Sequence, residues 1–327
     1  MRVDAGTDDA ANVPDGAPAP DGTPAPDAGM DRDAMPALDA GDASSACGMA
    51  PTGSWRGTSR IQDNGSGGFS YVEGDVEWVL ASTEGCVDTF RPTGIVRYGY
   101  EHSGGSNHQQ VTVQPGDGTL VIDRSARIAT YVIAASTAPA GAWADHRGSF
   151  DGRMFAGFLY GQVARMWSIA RVDAEFPAPT SGCSEPATDV WQSQLAHAGF
   201  QGTADVTWTR TSTTGCVDRF ASSGTARVGT VQGTDFLLDY DPPHGPIAAG
   251  DAELVIDRST SPPGFELRHG ATTWPATLRR TYEDGTVTTE QGNAIAIWAE
   301  FFEGAYDGNH FSAQREDRTG WTFSRAP

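Results

Sequence analysis

The sequence predicts an all-β protein. It reads as two tandem antiparallel β-barrel domains, alternatively β-sandwiches, behind a disordered N-terminal tail. Three observations carry this: an abrupt composition change near residue 46, an ordered set of motifs that occurs twice after it, and two-residue alternation broken by Gly-containing turns in both copies. The 327 residues carry 22 Lys+Arg against 42 Asp+Glu, a formal charge of −20, and every one of those cations is Arg. Such acidity, with no cluster of cations, argues against nucleic acid as a partner.

Residues 1–46 hold ten Asp, twelve Ala, six Pro and five Gly, with no aromatic residue and no Cys. This composition buries too little apolar surface to offset about 1–2 kcal/mol of ordering entropy per residue. The Ala17-Pro18, Ala19-Pro20 and Ala25-Pro26 steps and the mutual repulsion of the aspartates favour an extended spacer. The segment resembles the Asp/Ala/Gly/Pro tethers of bacterial surface lipoproteins. That resemblance implies an exported protein held to the membrane only through an N-terminal anchor. A secretory leader is expected ahead of such a tether, and Met1-Arg2-Val3-Asp4 has no apolar h-region.

The remainder is a duplication. Cys47 stands eight residues before Trp55, and Cys183 eight before Trp191. Gly85-Cys86-Val87-Asp88-Thr89-Phe90 recurs as Gly215-Cys216-Val217-Asp218-Arg219-Phe220, and Leu120–Ser125 recurs as Leu254–Ser259. Gly148-Ser149-Phe150-Asp151-Gly152 matches Gly304-Ala305-Tyr306-Asp307-Gly308, and Trp167 and Arg171 match Trp321 and Arg325. The repeats span 47–177 and 183–327, joined by a linker at 178–182. Respecting the repeat pairs Cys47 with Cys86 and Cys183 with Cys216, which implies an oxidising, extracellular or cell-surface location. Four buried free thiols are the alternative.

Strands follow from alternation at Phe69–Glu73, Val111–Gln114, Ala204–Thr209 and Trp321–Ser324. Turns follow at Pro115–Gly118, Asp151-Gly152, Glu283–Gly285 and Asp307-Gly308. Gln192–Ala198 admits a short helix, although its counterpart in the first repeat reads as strand. Gly53-Ser54-Trp55 resembles the Gly-x-Trp of lipocalin-type barrels. The resemblance implies a structural Trp55 at the closed end, beside a last-strand arginine such as Arg171. Asp189-Val190-Trp191 lacks the glycine.

Familiar catalytic signatures are absent: no Gly-x-Ser-x-Gly elbow, no HExxH, and no P-loop in a chain without Lys. Asp88/Asp218 and Arg124/Arg258, present in both copies, are expected to serve folding. No cofactor and no metal is expected, and the His102–His108 stretch reads as a solvated hairpin loop. The second repeat holds about 21 additional residues, since Ile122 to Trp143 spans 21 positions and Ile256 to Trp298 spans 42. They form an expected extra hairpin near 262–290. Its Trp274, Arg279 and Arg280 are the leading ligand-binding candidates, with Trp78 and Trp208 next as lining of a cavity. The sequence thus points to a monomeric, non-enzymatic, surface-tethered binding protein for a small apolar molecule or a glycan. A secreted hydrolase with unidentified carboxylates and a structural envelope protein are the alternatives. Deleting residues 1–46 is expected to leave the melting temperature within about 4 °C of the full chain; a larger drop in a calorimetric scan would mean that the tail packs on the body.

Overall fold

The computed structural model describes residues 47–50, 52–63, 68–102, 105–134, 146–159, 163–177, 179, 182–197, 202–315 and 319–326, so the acidic tail lies outside the described residues. Every regular element among them is a strand, and all pairings are antiparallel. The first repeat contains β1 (Ser54–Asp63), β2 (Gly68–Glu84), β3 (Val87–His102), β4 (Gly105–Val113), β5 (Leu120–Asp123), β6 (Ala129–Ile133), β7 (His146–Phe150), β8 (Met154–Leu159) and β9 (Val163–Arg171). The second contains β10 (Val190–His197), β11 (Gly202–Thr214), β12 (Val217–Val228), β13 (Val231–Gln232), β14 (Phe236–Asp241), β15 (His244–Ile247) and β16 (Glu253–Asp257). It ends with β17 (Gly264–Tyr282), β18 (Val287–Ala305), β19 (His310–Arg315) and β20 (Gly320–Arg325).

Gln192–His197, expected as part of a short helix over Gln192–Ala198, is strand within β10; residue 198 lies outside the described residues. Trp191, Ser193 and Leu195 are buried there while Gln192 and Gln194 are exposed. The strand period is masked in the sequence because a polar Ser193 occupies an inward position. Its hydroxyl accepts the Trp208 indole N–H at 2.7 Å, which satisfies the buried donor.

The duplicated Gly-Cys-Val-Asp motif is the tip of a hairpin, β2–β3 in one copy and β11–β12 in the other. Gly85 and Gly215 both sit at φ 60°, where a side chain would be strained. The neighbouring cysteines form the disulfides Cys47–Cys86 and Cys183–Cys216. One step further, Asp88 and Asp218 are fully buried and receive a fork from arginine. Arg124 donates through Nε at 2.6 Å and Nη2 at 3.1 Å to Asp88, and through Nη1 to the Met49 carbonyl at 2.7 Å. Arg258 repeats this on Asp218 at 2.7 and 3.2 Å and on the Glu185 carbonyl at 2.7 Å. The shared acids therefore bind the first residues of each repeat to its hairpin.

The ladders of the first repeat run in the order β7–β6–β5–β3–β2–β1–β9–β8, with β4 beside the outer half of β3. Those of the second run β19–β20–β10–β11–β12–β16–β17–β18, with β15 on β12 and the β13–β14 pair on β17. Among the described residues, no closed barrel is found within either repeat. Instead the edges are exchanged: β7 pairs with β19, and β8 pairs with β18. Each repeat keeps its own core, around Trp55, Trp78, Phe90 and Phe150 in the first and Trp191, Trp208, Trp298 and Phe311 in the second. Edge-to-face contacts such as Trp55–Phe150 at 5.4 Å and Trp191–Phe311 at 5.8 Å fill them.

Trp191 lies opposite Arg325 in the β10–β20 ladder, with the guanidinium 5.1 Å over its ring. Trp55 lies opposite Arg171 in the β1–β9 ladder.

At the waist the two Asp-Gly turns clasp one another. Asp151 Oδ1 accepts the Asn309 and His310 N–H groups at 2.8 and 2.9 Å. Asp307 Oδ2 accepts the Arg153 N–H at 2.7 Å and its guanidinium Nε at 3.1 Å. Only glycine fits beside them: a Cβ on Gly152 would lie 1.8 Å from the Asp307 carbonyl oxygen. Asp218→Ala is expected to cost about 3–5 kcal/mol in equilibrium urea unfolding, because it strands a buried Arg258. A loss under about 1 kcal/mol would show the pair to be dispensable.

Candidate functional site

The waist leaves a trough on the outer face of the sheet. Alternation decides which side chains reach it. On β6 and β7, Tyr131 and Phe150 point into the core, so Thr130, Val132, Arg147 and Ser149 point out. On β10 and β11 the inward Trp191, Leu195 and Trp208 leave Gln194, Thr203 and Asp205 outside, with Arg227 beside Thr203 on β12. Ser312, Gln314 and Thr322 of β19 and β20 lie between the two walls. Its volume is about 730 Å³. It adjoins a second depression of about 380 Å³ along Gln192, Thr207, Thr322 and Ser324, sharing Gln194 and Asp205 with the first. Gln194 Nε2 donates to Asp205 Oδ1 at 3.2 Å.

A hydrogen-bonded chain borders the trough. Ser149 Oγ is 2.7 Å from His310 Nε2, and His310 Nδ1 is 2.7 Å from Ser324 Oγ. Ser149 also meets Ser312 twice, through its N–H to Ser312 Oγ at 2.7 Å and between the hydroxyls at 2.9 Å. His310 is half-buried. Burial holds its imidazole below the ordinary histidine range, against a smaller opposite pull from the Asp151 carboxylate.

The residues expected from the sequence are not assembled here. Trp274, expected on an exposed hairpin, is only 5% exposed. The hairpin exists, as β17–β18, but Thr272, Trp274 and Ala276 face the second core together with Ala294, Ala296 and Trp298. Trp274 packs its ring on Gly245 and donates its indole N–H to the Pro242 carbonyl at 2.9 Å. The insertion thus completes a core. Arg279 is exposed, while Arg280 is paired with Glu290 at 2.7 Å and lies 5.8 Å over the Phe236 ring. The two arginines take opposite faces of β17, as strand geometry requires. Trp78 and Trp208 are both buried. Trp78 borders a small cleft of about 20 Å³ with Val76, Ile133 and Ile169, room for about one water and not for an apolar ligand. Trp208 packs on Trp298 at 6.4 Å between ring centres.

In the His102–His108 stretch, residues 103 and 104 lie outside the described residues, and His108 Nδ1 is 2.6 Å from the Tyr71 hydroxyl. Among the described residues no three His, Cys, Asp or Glu side chains converge as a metal site would require.

Ser149, His310 and Ser324 were missed because attention to what both repeats retain passes over them. Their signal lies in the reverse comparison, where Ser149 aligns with Ala305 and His310 with Met154. Comparison with protein-family models, with curated proteins and with solved structures finds no match for the chain. Trp274→Ala is expected to lower stability by about 3–5 kcal/mol, the cost of emptying an aromatic core position. Unchanged unfolding in denaturant would return Trp274 to the surface.

Proposed function

We propose that the chain is an exported, surface-tethered binding protein, monomeric, whose ligand is a hydroxyl-rich glycan segment lying along the waist trough. The single observation carrying this reading is a trough of about 730 Å³ whose walls come from both repeats and which places Thr130, Arg147, Gln194, Asp205, Arg227 and Thr322 along its lining. Thr, Gln, Asp and Arg at neighbouring strand positions offer donors and acceptors at close intervals, which suits a chain of sugar hydroxyls. The indole-filled cores favour a glycan over the small apolar molecule. The two disulfides fit an oxidising compartment, and with the acidic tail they support export. We read each repeat as a barrel-like lobe that lends an edge to the other, the form of the tandem-barrel arrangement that the exchanged ladders favour.

A glycan array probed with the purified protein tests this reading, followed by titration of any hit. Arg227→Ala and Gln194→Ala are expected to weaken that hit about tenfold, the loss of a hydrogen bond to a charged or well-placed group. Melting temperatures should stay unchanged, since both side chains are exposed. Absence of any hit, or hits indifferent to both substitutions, rejects the reading.

A further inference from the structure

We propose that Ser149 is a nucleophile and His310 its general base, forming an acyl-transfer site for carboxylic esters at the rim of the trough. This goes beyond glycan binding and does not rest on it.

The argument begins with the duplicated waist. The junction of β7 with β19 and that of β18 with β8 are related by the repeat, and their registers correspond: His146 opposes Arg315 in one, and their counterparts Phe302 and Leu159 oppose each other in the other. Ser149, His310, Ser312 and Ser324 in the first junction correspond in sequence to Ala305, Met154, Ala156 and Ala170 in the second. The cross-strand pair His310–Ser324 is matched by Met154–Ala170. The fold therefore makes this junction from alanine and methionine, and polarity at one copy answers to something other than folding.

Geometry narrows what that is. A nucleophile and its base within about 2.6–3.2 Å, with the base oriented by a third group, is the arrangement nucleophilic catalysis needs. Ser149 to His310 Nε2 and His310 Nδ1 to Ser324 are each 2.7 Å. In the competent tautomer Nδ1–H donates to Ser324 Oγ, Nε2 accepts from the Ser149 hydroxyl, and the Ser312 hydroxyl donates to Ser149 Oγ. Burial lowers the basicity of the imidazole and so favours its neutral form, the state a base requires. Ser149 also lines the trough, so an ester can reach it.

The chemistry balances without a co-reactant beyond water. Ser149 Oγ bonds to the ester carbonyl carbon as its proton passes to His310 Nε2. The tetrahedral intermediate collapses, the carbon–oxygen bond to the leaving group breaks, and Nε2 returns the proton to that oxygen. Water then adds to acyl-Ser149, losing its proton to Nε2; the acid leaves as the proton returns to Ser149 Oγ. Arg147 and Gln314 oppose one another across β7–β19, on the same face as Ser149 and two residues along. That is about 7 Å on a strand, within reach of both long side chains as donors to the oxyanion.

The test treats the full chain with a fluorophosphonate, locates the adduct by peptide mass, and follows hydrolysis of p-nitrophenyl acetate. The expected result is an adduct on Ser149 and measurable hydrolysis. Ser149→Ala should abolish both, and His310→Met should slow hydrolysis roughly 100-fold or more. Ser324 is a positioning residue, so Ser324→Ala should lower kcat and leave KM unchanged. Ser149→Ala and His310→Met introduce what the twin junction already carries, so near-UV circular dichroism should match the parent. An unlabelled Ser149 on folded protein, or His310→Met hydrolysing at the parent rate, overturns the proposal.

Discussion

The exchange of edges at the waist is the constraint on which the rest of the structure depends. An eight-strand ladder order with two free edges exposes rows of unpaired N–H and C=O groups. Each repeat could satisfy them by joining β7 to β8, or β18 to β19. The chain joins β7 to β19 and β18 to β8. The reason is visible in the turns. Asp151 and Asp307 each spend their carboxylates on backbone N–H groups of the other repeat, and Gly152 leaves room for the Asp307 carbonyl. A tight hairpin within one repeat would forgo those charge-assisted bonds. The same exchange brings Ser149 within reach of a histidine 161 positions away.

On either side of the waist, each repeat is held at one corner by a buried Asp–Arg fork. A carboxylate removed from water is tolerable only when its charge is matched and its oxygens are bonded. Asp88 meets Arg124 and the Thr83 hydroxyl, at 2.8 Å, and Asp218 meets Arg258 and Thr213, at 2.6 Å. The arginines in turn donate to the carbonyls of Met49 and Glu185, just after the first cysteine of each disulfide. Covalent and ionic links thus converge on one corner per repeat, so the hairpin tip, the chain entry and the strand that follows cannot move independently.

These corners were legible in the sequence because they are local and occur twice. Gly and Cys at fixed spacing, repeated in the second copy, mark a turn and a crosslink, whereas the shared Asp and Arg are marked only as needed for folding, and their meeting in the interior comes from the structure. The direction of the inserted hairpin was not legible. Alternation along Thr272, Trp274 and Ala276 separates two faces without saying which is covered, and the answer depends on Gly245 and Pro242, which bring backbone against the indole ring. Nor was the waist legible: its pairings join segments more than 140 residues apart, as Phe302 and Leu159 show. Motif spacing within one repeat cannot reveal a partner lent by the other.

Duplication also changes how a residue should be weighed. Where two copies of a junction meet the same backbone demands, residues common to both report on folding, and residues private to one report on what folding leaves free. Asp151 and Asp307 belong to the first kind, since each clasps the opposite turn. His310 belongs to the second. Its counterpart Met154 is buried and apolar, whereas His310 is half-buried, bonded through both ring nitrogens to hydroxyls, and beside a trough. Desolvating an imidazole costs free energy that a thioether avoids, and two serines must be fixed to offset it. A polar network that the twin junction does without is therefore maintained against the cheaper apolar solution already present in the same chain.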